Sequence, residues 1–101
     1  MIAEFMIIPV GAGVSTSAEV AKVVKLVDES GLPYRLNPMG TVVEGEFGEV
    51  MGLIEKCHNL VMTDVERVVT SITVDDRKGY KDRITRKVES VEKILGRPVK
   101  K

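Results

Sequence analysis

The opening Ile2-Ala3-Glu4-Phe5-Met6-Ile7-Ile8-Pro9-Val10 is apolar at nearly every position and rich in β-branched residues, the pattern of a strand buried on both faces. Gly11 and Gly13 break it. Thr16-x-x-Glu19 then reads as a capping box, and Val20, Val23, Val24 and Val27 recur at helical spacing until about Ser30, where Gly31 supplies a stop. Valine is a weak helix former, so this stripe predicts a helix held by packing on a sheet. Pro33 to Asn37 and Thr41 to Glu46 read as two short strands around the turn residues Pro38 and Gly40, most simply a hairpin. Phe47, Val50, Ile54, Cys57 and Val61 fall at spacings of three and four and give a second helix. Val65 to Val74, rich in Val, Ile and Thr, reads as a fourth strand. A last helix carries Tyr80, Ile84, Val88, Val91 and Leu95 on its apolar face and ends at Gly96 and Pro98.

The order is βαββαβ plus a C-terminal helix. Right-handed crossovers then predict an antiparallel sheet with the first and fourth strands side by side at its centre. This is the ferredoxin-like plait of the α/β (α+β) class, with residues 1–101 as one domain. Both crossover helices pack on one face and leave the other bare. Alternation puts Val68, Thr70, Ile72 and Val74 on the helix side, with Arg67, Val69, Ser71 and Thr73 on the bare side. In the first strand Ala3, Phe5 and Ile7 face the helices, while Ile2, Glu4, Met6, Ile8 and Val10 form a mixed outward set. Such a face is too apolar for open water and too polar for a dry contact, so the economical expectation is a subunit interface that also holds a ligand.

Composition narrows the partners. A chain of 101 residues makes one domain with a thin core, and at 44% apolar and 30% charged residues it is expected to fold throughout. Fifteen Lys and Arg against fifteen Asp and Glu leave no broad electrostatic footprint for phosphate backbones or anionic lipid, so no nucleic acid is expected. No apolar stretch approaches the roughly 18 residues that span a bilayer, so no membrane partner is expected either. Cys57 has no second cysteine to pair with, and Met1 leads straight into a strand with no charged leader before it. A cytoplasmic protein is the expectation.

Few residues carry candidate chemistry. Cys57 and His58 are adjacent, but helix neighbours diverge by about 100°, and no further Cys or His completes a metal or nucleophile site. Cys57 reads as core and His58 as helix surface, and neither a metal nor a cofactor is expected. Gly11-Ala12-Gly13 before a helix could cradle a phosphate or serve as a plain turn and cap, since it lacks the spacing of a dinucleotide or Walker loop. Ser15 and Ser17 read as capping residues. Asn37, Thr41 and Glu44 in the hairpin offer an amide, a hydroxyl and a carboxylate that together could hold a polar heterocycle. The same residues also suit local turn hydrogen bonds and a solvated carboxylate. Arg67, Arg77, Lys87 and Glu89 read as surface or ion-pairing residues.

The segments IIPVG, ESGLPY, MGTVVEGE, ERVVTSITVDDR and KVESVEKILG, spread over nearly the whole chain, resemble the thiamine-binding protein family, short proteins formerly grouped only as an uncharacterised conserved family. The resemblance implies a ferredoxin-like fold, assembly as a homotetramer built from dimers, and binding of thiamine or its hydroxymethylpyrimidine portion without catalysis. It carries onto Gly40, Thr41 and Glu44, and also onto Asn37, Ser17 and Arg67, as ligand-binding positions. The competing reading is a regulatory sensor domain of the amino-acid-binding type on the same plait. Enzymatic readings find less support: the stretch from Val10 to Ser17 holds neither the Arg of an acylphosphatase loop nor the CxxC of a metal carrier. RNA binding through the sheet needs exposed aromatics, and none can be placed on the mixed face.

Overall fold

The computed structural model describes residues 1–11, 13 and 15–101. Its elements are β1 (Ile2–Val10), α1 (Thr16–Glu29), β2 (Tyr34–Asn37), β3 (Gly40–Glu44), α2 (Phe47–Met62), β4 (Arg67–Asp75) and α3 (Arg83–Leu95). The four strands form one antiparallel sheet in the order β2-β3-β1-β4. This is the ferredoxin-like α+β arrangement with an added C-terminal helix.

Each crossover skips a strand, so β3 fits between β2 and β1, and β4 lands on the far side of β1. The first and fourth strands are therefore neighbours, as expected, but β4 is an edge and not central; β1 and β3 occupy the middle. The register pairs Ala3 with Val74, Phe5 with Ile72 and Ile7 with Thr70, which places the alternating sets of both strands on the expected sides. Between the sheet and the α1/α2 layer lies the core, built from Ala3, Phe5, Ile7 and Val43 against Val23 and Val27 of α1 and Val50, Leu53, Ile54, Cys57 and Val61 of α2.

The apolar run of β1 is not buried on both faces. Ala3, Phe5 and Ile7 are buried, while Glu4, Ile8 and Val10 are exposed. The outer face has only a partial cover, because α3 reaches β3 and the Ile2 end of β1 but not the Val10 end. In addition, β3 pairs with β1 only from Ile2 to Phe5, so beyond Phe5 β1 pairs, among the described residues, with β4 alone. The molecule is accordingly long, 47 × 28 × 21 Å, with a radius of gyration of 15.0 Å against about 13 Å for an ordinary domain of this length.

Local signals explain the helix ends. The N-cap of α1 is Ser15, whose side chain accepts from the Ala18 N–H at 3.3 Å. The expected Thr16/Glu19 capping box does not form, and Glu19 is instead buried beside Lys22, its Oε1 3.3 Å from Nζ. Gly31 follows α1 at φ 76° and Gly96 caps α3 at φ 76°, the left-handed conformation that glycine adopts without strain. The Gly11-Ala12-Gly13 cradle includes Ala12, which lies outside the described residues. Among the described residues, no helix is long and apolar enough to cross a membrane.

Burial pushes the Cys57 thiol up to about 11 from its ordinary 9.0, since the charged thiolate is disfavoured away from water. An alkylating reagent at pH 8 is expected to modify Cys57 rapidly in urea but scarcely in the native protein. The unfolded thiol loses its proton from about pH 9 while the folded one keeps it, so this group's contribution to stability falls as pH rises from 9 towards 11. Urea titrations of wild type and Cys57→Ala should converge over that range; parallel pH profiles would contradict it.

Candidate functional site

The hairpin and α3 build a cavity on the outer face of the sheet. Period-two alternation and the register Arg35–Val42 and Asn37–Gly40 put Arg35, Asn37 and Val42 on the side away from α1 and α2, together with Ile2 and Glu44. Above them α3 presents Arg83, Ile84, Lys87 and Val88, two adjacent pairs one helical turn apart. The tail closes the far side: Val99 N–H donates to Glu92 Oε2 at 2.8 Å and Lys101 Nζ lies 3.1 Å from the same oxygen. These two contacts, the backbone N–H first, hold the Glu92 carboxyl below the usual carboxylate range. Enclosed between sheet, helix and tail is a space of about 390 Å³, within the usual size range of small-molecule pockets.

Glu44 fixes this roof. It ends β3 with a relative exposure of 9%, and its Oε2 and Oε1 accept from the N–H groups of Arg83 at 2.9 Å and Ile84 at 3.1 Å. Those donors open α3 and have no acceptor within their own helix. The residue before them, Asp82, sits in the left-handed region at φ 56° and makes no side-chain cap. A carboxylate from another element therefore caps the helix, with the macrodipole adding to the attraction. On the β4 side, Lys87 Nζ lies 2.7 Å from Asp75 Oδ2, and this contact, with Arg83 and Arg77 nearby, holds the Asp75 carboxyl below its ordinary value. Arg77 lies over the Tyr80 ring 3.7 Å from its centroid and donates to the Tyr80 hydroxyl at 2.8 Å.

The six sequence-derived positions do not converge in one chain. Asn37 lines the cavity and Glu44 anchors its roof. Gly40 sits at the turn, where a Cβ would meet the Phe5 carbonyl oxygen at 3.1 Å, a close contact that favours glycine where the hairpin approaches β1. Thr41 is buried on the helix side, opposite Phe5. Ser17 lies in an open groove between α1 and β2 with Tyr34, Leu36 and Pro38. Arg67 pairs with Val10, eight residues along β1 from the Ile2–Glu44 rung, a separation of about 26 Å at strand rise. Cys57 is core, as expected, and half-buried His58 has its Nδ1 2.6 Å from the Thr70 hydroxyl.

Of the residues lining the cavity, Asn37 alone belongs to the sequence-derived set; besides the apolar walls, the polar residues outside it are Arg35, Arg83, Lys87 and the tail lysines Lys100 and Lys101. Arg35 was signalled by its place two residues before Asn37 on the same strand face. Arg83 carried no signal before the position of α3 was known.

Comparison with known proteins agrees with this architecture. A family model described as "Thiamine-binding protein" matches residues 3–92. A UPF0045 protein of Methanocaldococcus jannaschii is 36% identical over 94 residues, covering 93% of this chain and 94% of that protein. UPF0045 protein YqgV of Bacillus subtilis is 38% identical over 100 residues, covering 93% and 96%. The crystal structure of the Methanocaldococcus jannaschii protein superposes with a TM-score of 0.82 at 38% identity, over 89% of this chain and 93% of that one. A Thermotoga maritima protein given a proposed role in thiamine biosynthesis or salvage shares the fold, with a TM-score of 0.77 at 20% identity over 89% of this chain and 96% of its own.

Removing the Glu44 carboxylate should release α3 selectively. Glu44→Ala leaves two N–H donors without their acceptors and is expected to cost about 2 kcal/mol or more. In hydrogen exchange the α3 amides should lose protection while those of the β1–β4 ladder keep theirs. Uniform loss across the chain, or none, would refute the capping role.

Proposed function

The chain belongs to the thiamine-binding protein family, and on that premise we propose that it binds thiamine or its hydroxymethylpyrimidine portion, without catalysis, as a cytoplasmic homotetramer. The observation that carries the reading is the cavity under α3 in a chain of this family. Its walls include Ile2, Val42, Ile84, Val88 and Val99, and Asn37 lies at its rim. Apolar walls suit the faces of a pyrimidine ring. An amide can donate to a ring nitrogen and accept from an amino group at once. Glu44 serves this ligand by holding the roof in place, and Gly40 and Thr41 by shaping the hairpin. Ser17 and Arg67 can reach the same ligand only from a neighbouring copy.

A binding role also accords with the two side chains best suited to nucleophilic chemistry. Cys57 is fully buried with its thiol kept protonated, and the Nδ1 of His58 is engaged by Thr70. Assembly is supported by the uncovered apolar surface. Ile8, Val10 and Val69 are 37%, 37% and 42% exposed on the outer face, and Val91, Ile94 and Leu95 of α3 are also exposed. A two-stranded ribbon with one apolar face is marginal in water by itself, and a second copy of the chain would cover it.

Calorimetric titration with thiamine and with hydroxymethylpyrimidine tests the ligand. Binding of at least one below millimolar concentration is expected, and binding of neither would dismiss the vitamin reading. Asn37→Ala should weaken binding roughly three- to tenfold, as the loss of one or two neutral hydrogen bonds predicts. Val88→Trp should fill the cavity and abolish binding, whereas Thr41→Val, on the other side of the sheet, should leave it nearly unchanged. Light scattering should give a tetramer, and paired Ile8→Lys and Val69→Lys substitutions should dissociate it; a compact wild-type monomer at micromolar concentration would rule the assembly out.

A further inference from the structure

We propose that the cavity under α3 selects a phosphate monoester, so that the preferred ligand is the phosphorylated hydroxymethylpyrimidine and not the cationic thiazolium-bearing vitamin. This rests on the proposed function but specifies the ligand's charge. Five basic side chains line the cavity, Arg35, Arg83, Lys87, Lys100 and Lys101, and no acidic side chain among the described residues does. The chain as a whole is neutral, so this is a local concentration of positive charge and not a general excess.

Three carboxylates around the cavity are already engaged: Asp75 is held by Lys87, Glu92 by Lys101 and the Val99 N–H, and Glu44 by the two N–H groups that open α3. Glu4, across from Val42 on the same sheet face, is exposed and does not line the cavity. That leaves Arg35, Arg83 and Lys100 with no carboxylate within ion-pair distance among the described residues. Arg83 stands out further, because its Nε–H is buried with no hydrogen-bond partner. A buried donor left unmatched is costly, so one beside an apolar cavity marks a position where an acceptor is missing. A guanidinium matches phosphate oxygens in bidentate fashion, and two arginines on facing elements, Arg35 from the sheet and Arg83 from the helix, can grip one phosphate from opposite sides. A thiazolium cation in the same space would meet like charges. The neutral pyrimidine ring fits the apolar walls, with Asn37 reading its edge.

Titration calorimetry with hydroxymethylpyrimidine, its phosphate monoester, thiamine and inorganic phosphate decides the matter. The monoester is expected to bind at least tenfold more tightly than the free alcohol, and raising salt should erode that advantage. Arg35→Gln and Arg83→Gln should each remove most of the preference, read as the ratio of monoester to alcohol affinity measured on the same variant, whereas Lys56→Gln on exposed α2 should keep that ratio intact. Two arginine variants on different elements guard against a folding defect in either. A monoester that binds no better than the alcohol, or a preference that survives both arginine substitutions, overturns the proposal and leaves the vitamin reading standing if the alcohol binds. If no heterocycle binds but inorganic phosphate does so in an Arg83-dependent way, the anion site stands and the vitamin reading falls. Failure of every compound overturns both.

Discussion

Two backbone N–H groups at the start of α3 need acceptors that their own helix cannot provide, and the carboxylate of Glu44 supplies both. Everything on the outer face depends on that contact. A helix of 13 residues is marginal in water by itself, and α3 contributes no fully buried side chain to offset the entropy of docking. What fixes it is a short set of interactions: the Glu44 cap, the Lys87–Asp75 pair and the half-buried Ile84 and Val88. Hydrogen bonds to a charged acceptor contribute about 1.5–3 kcal/mol each, whereas a half-exposed ion pair such as Lys87–Asp75 adds at most about 1 kcal/mol. The cap therefore dominates. With it in place, Arg83 lies opposite Arg35 and Asn37 across the cavity; without it, the sheet face is open.

Most of the architecture was legible from periodicity, because the core obeys it. The valine stripe of α1 and the Val50/Ile54/Cys57/Val61 stripe of α2 meet the Ala3/Phe5/Ile7 set of β1, and simple alternation assigned the strand faces correctly. The continuous apolar run of β1 suggested a strand covered on both sides, but hydropathy cannot tell a residue buried within the chain from one left for another molecule to cover. The crossover rule made β1 and β4 neighbours, which they are, but it does not say which strand lies at the edge, and that is β4. Thr16/Glu19 failed as a capping box because Ser15, one residue earlier, took the N-cap.

The site was less legible, for a different reason. Asn37 and Glu44 stand out in the sequence as hairpin polar groups, but the residues that face them come from α3 and the tail, more than 35 residues away in sequence. Nothing local satisfies the Glu44 carboxylate, and in the fold it accepts from the N–H groups of Arg83 and Ile84. Gly40 and Thr41 belong to the hairpin's construction, one by close backbone approach and the other by burial beside Phe5. A motif can thus be specific to a family and still consist largely of residues that shape a site without lining it.

That division of labour has an energetic consequence. The crossover helices and sheet share the core and form the stable part of the chain, whereas α3 and the tail are tied on by surface contacts. The cavity lies on the boundary between the two. Local opening free energies range from near zero to that of global unfolding, and elements with little burial occupy the low end. A ligand held between sheet and roof binds only the docked state, so it stabilises docking by RT ln(1 + [L]/Kd), about 2.7 kcal/mol at a hundredfold excess over Kd. That is comparable to what the Glu44 cap contributes. Under the proposed binding, occupancy and the order of α3 would be linked, and because α3 also displays Val91, Ile94 and Leu95 to the outside, the surface that a second copy would cover would depend on whether the roof is closed.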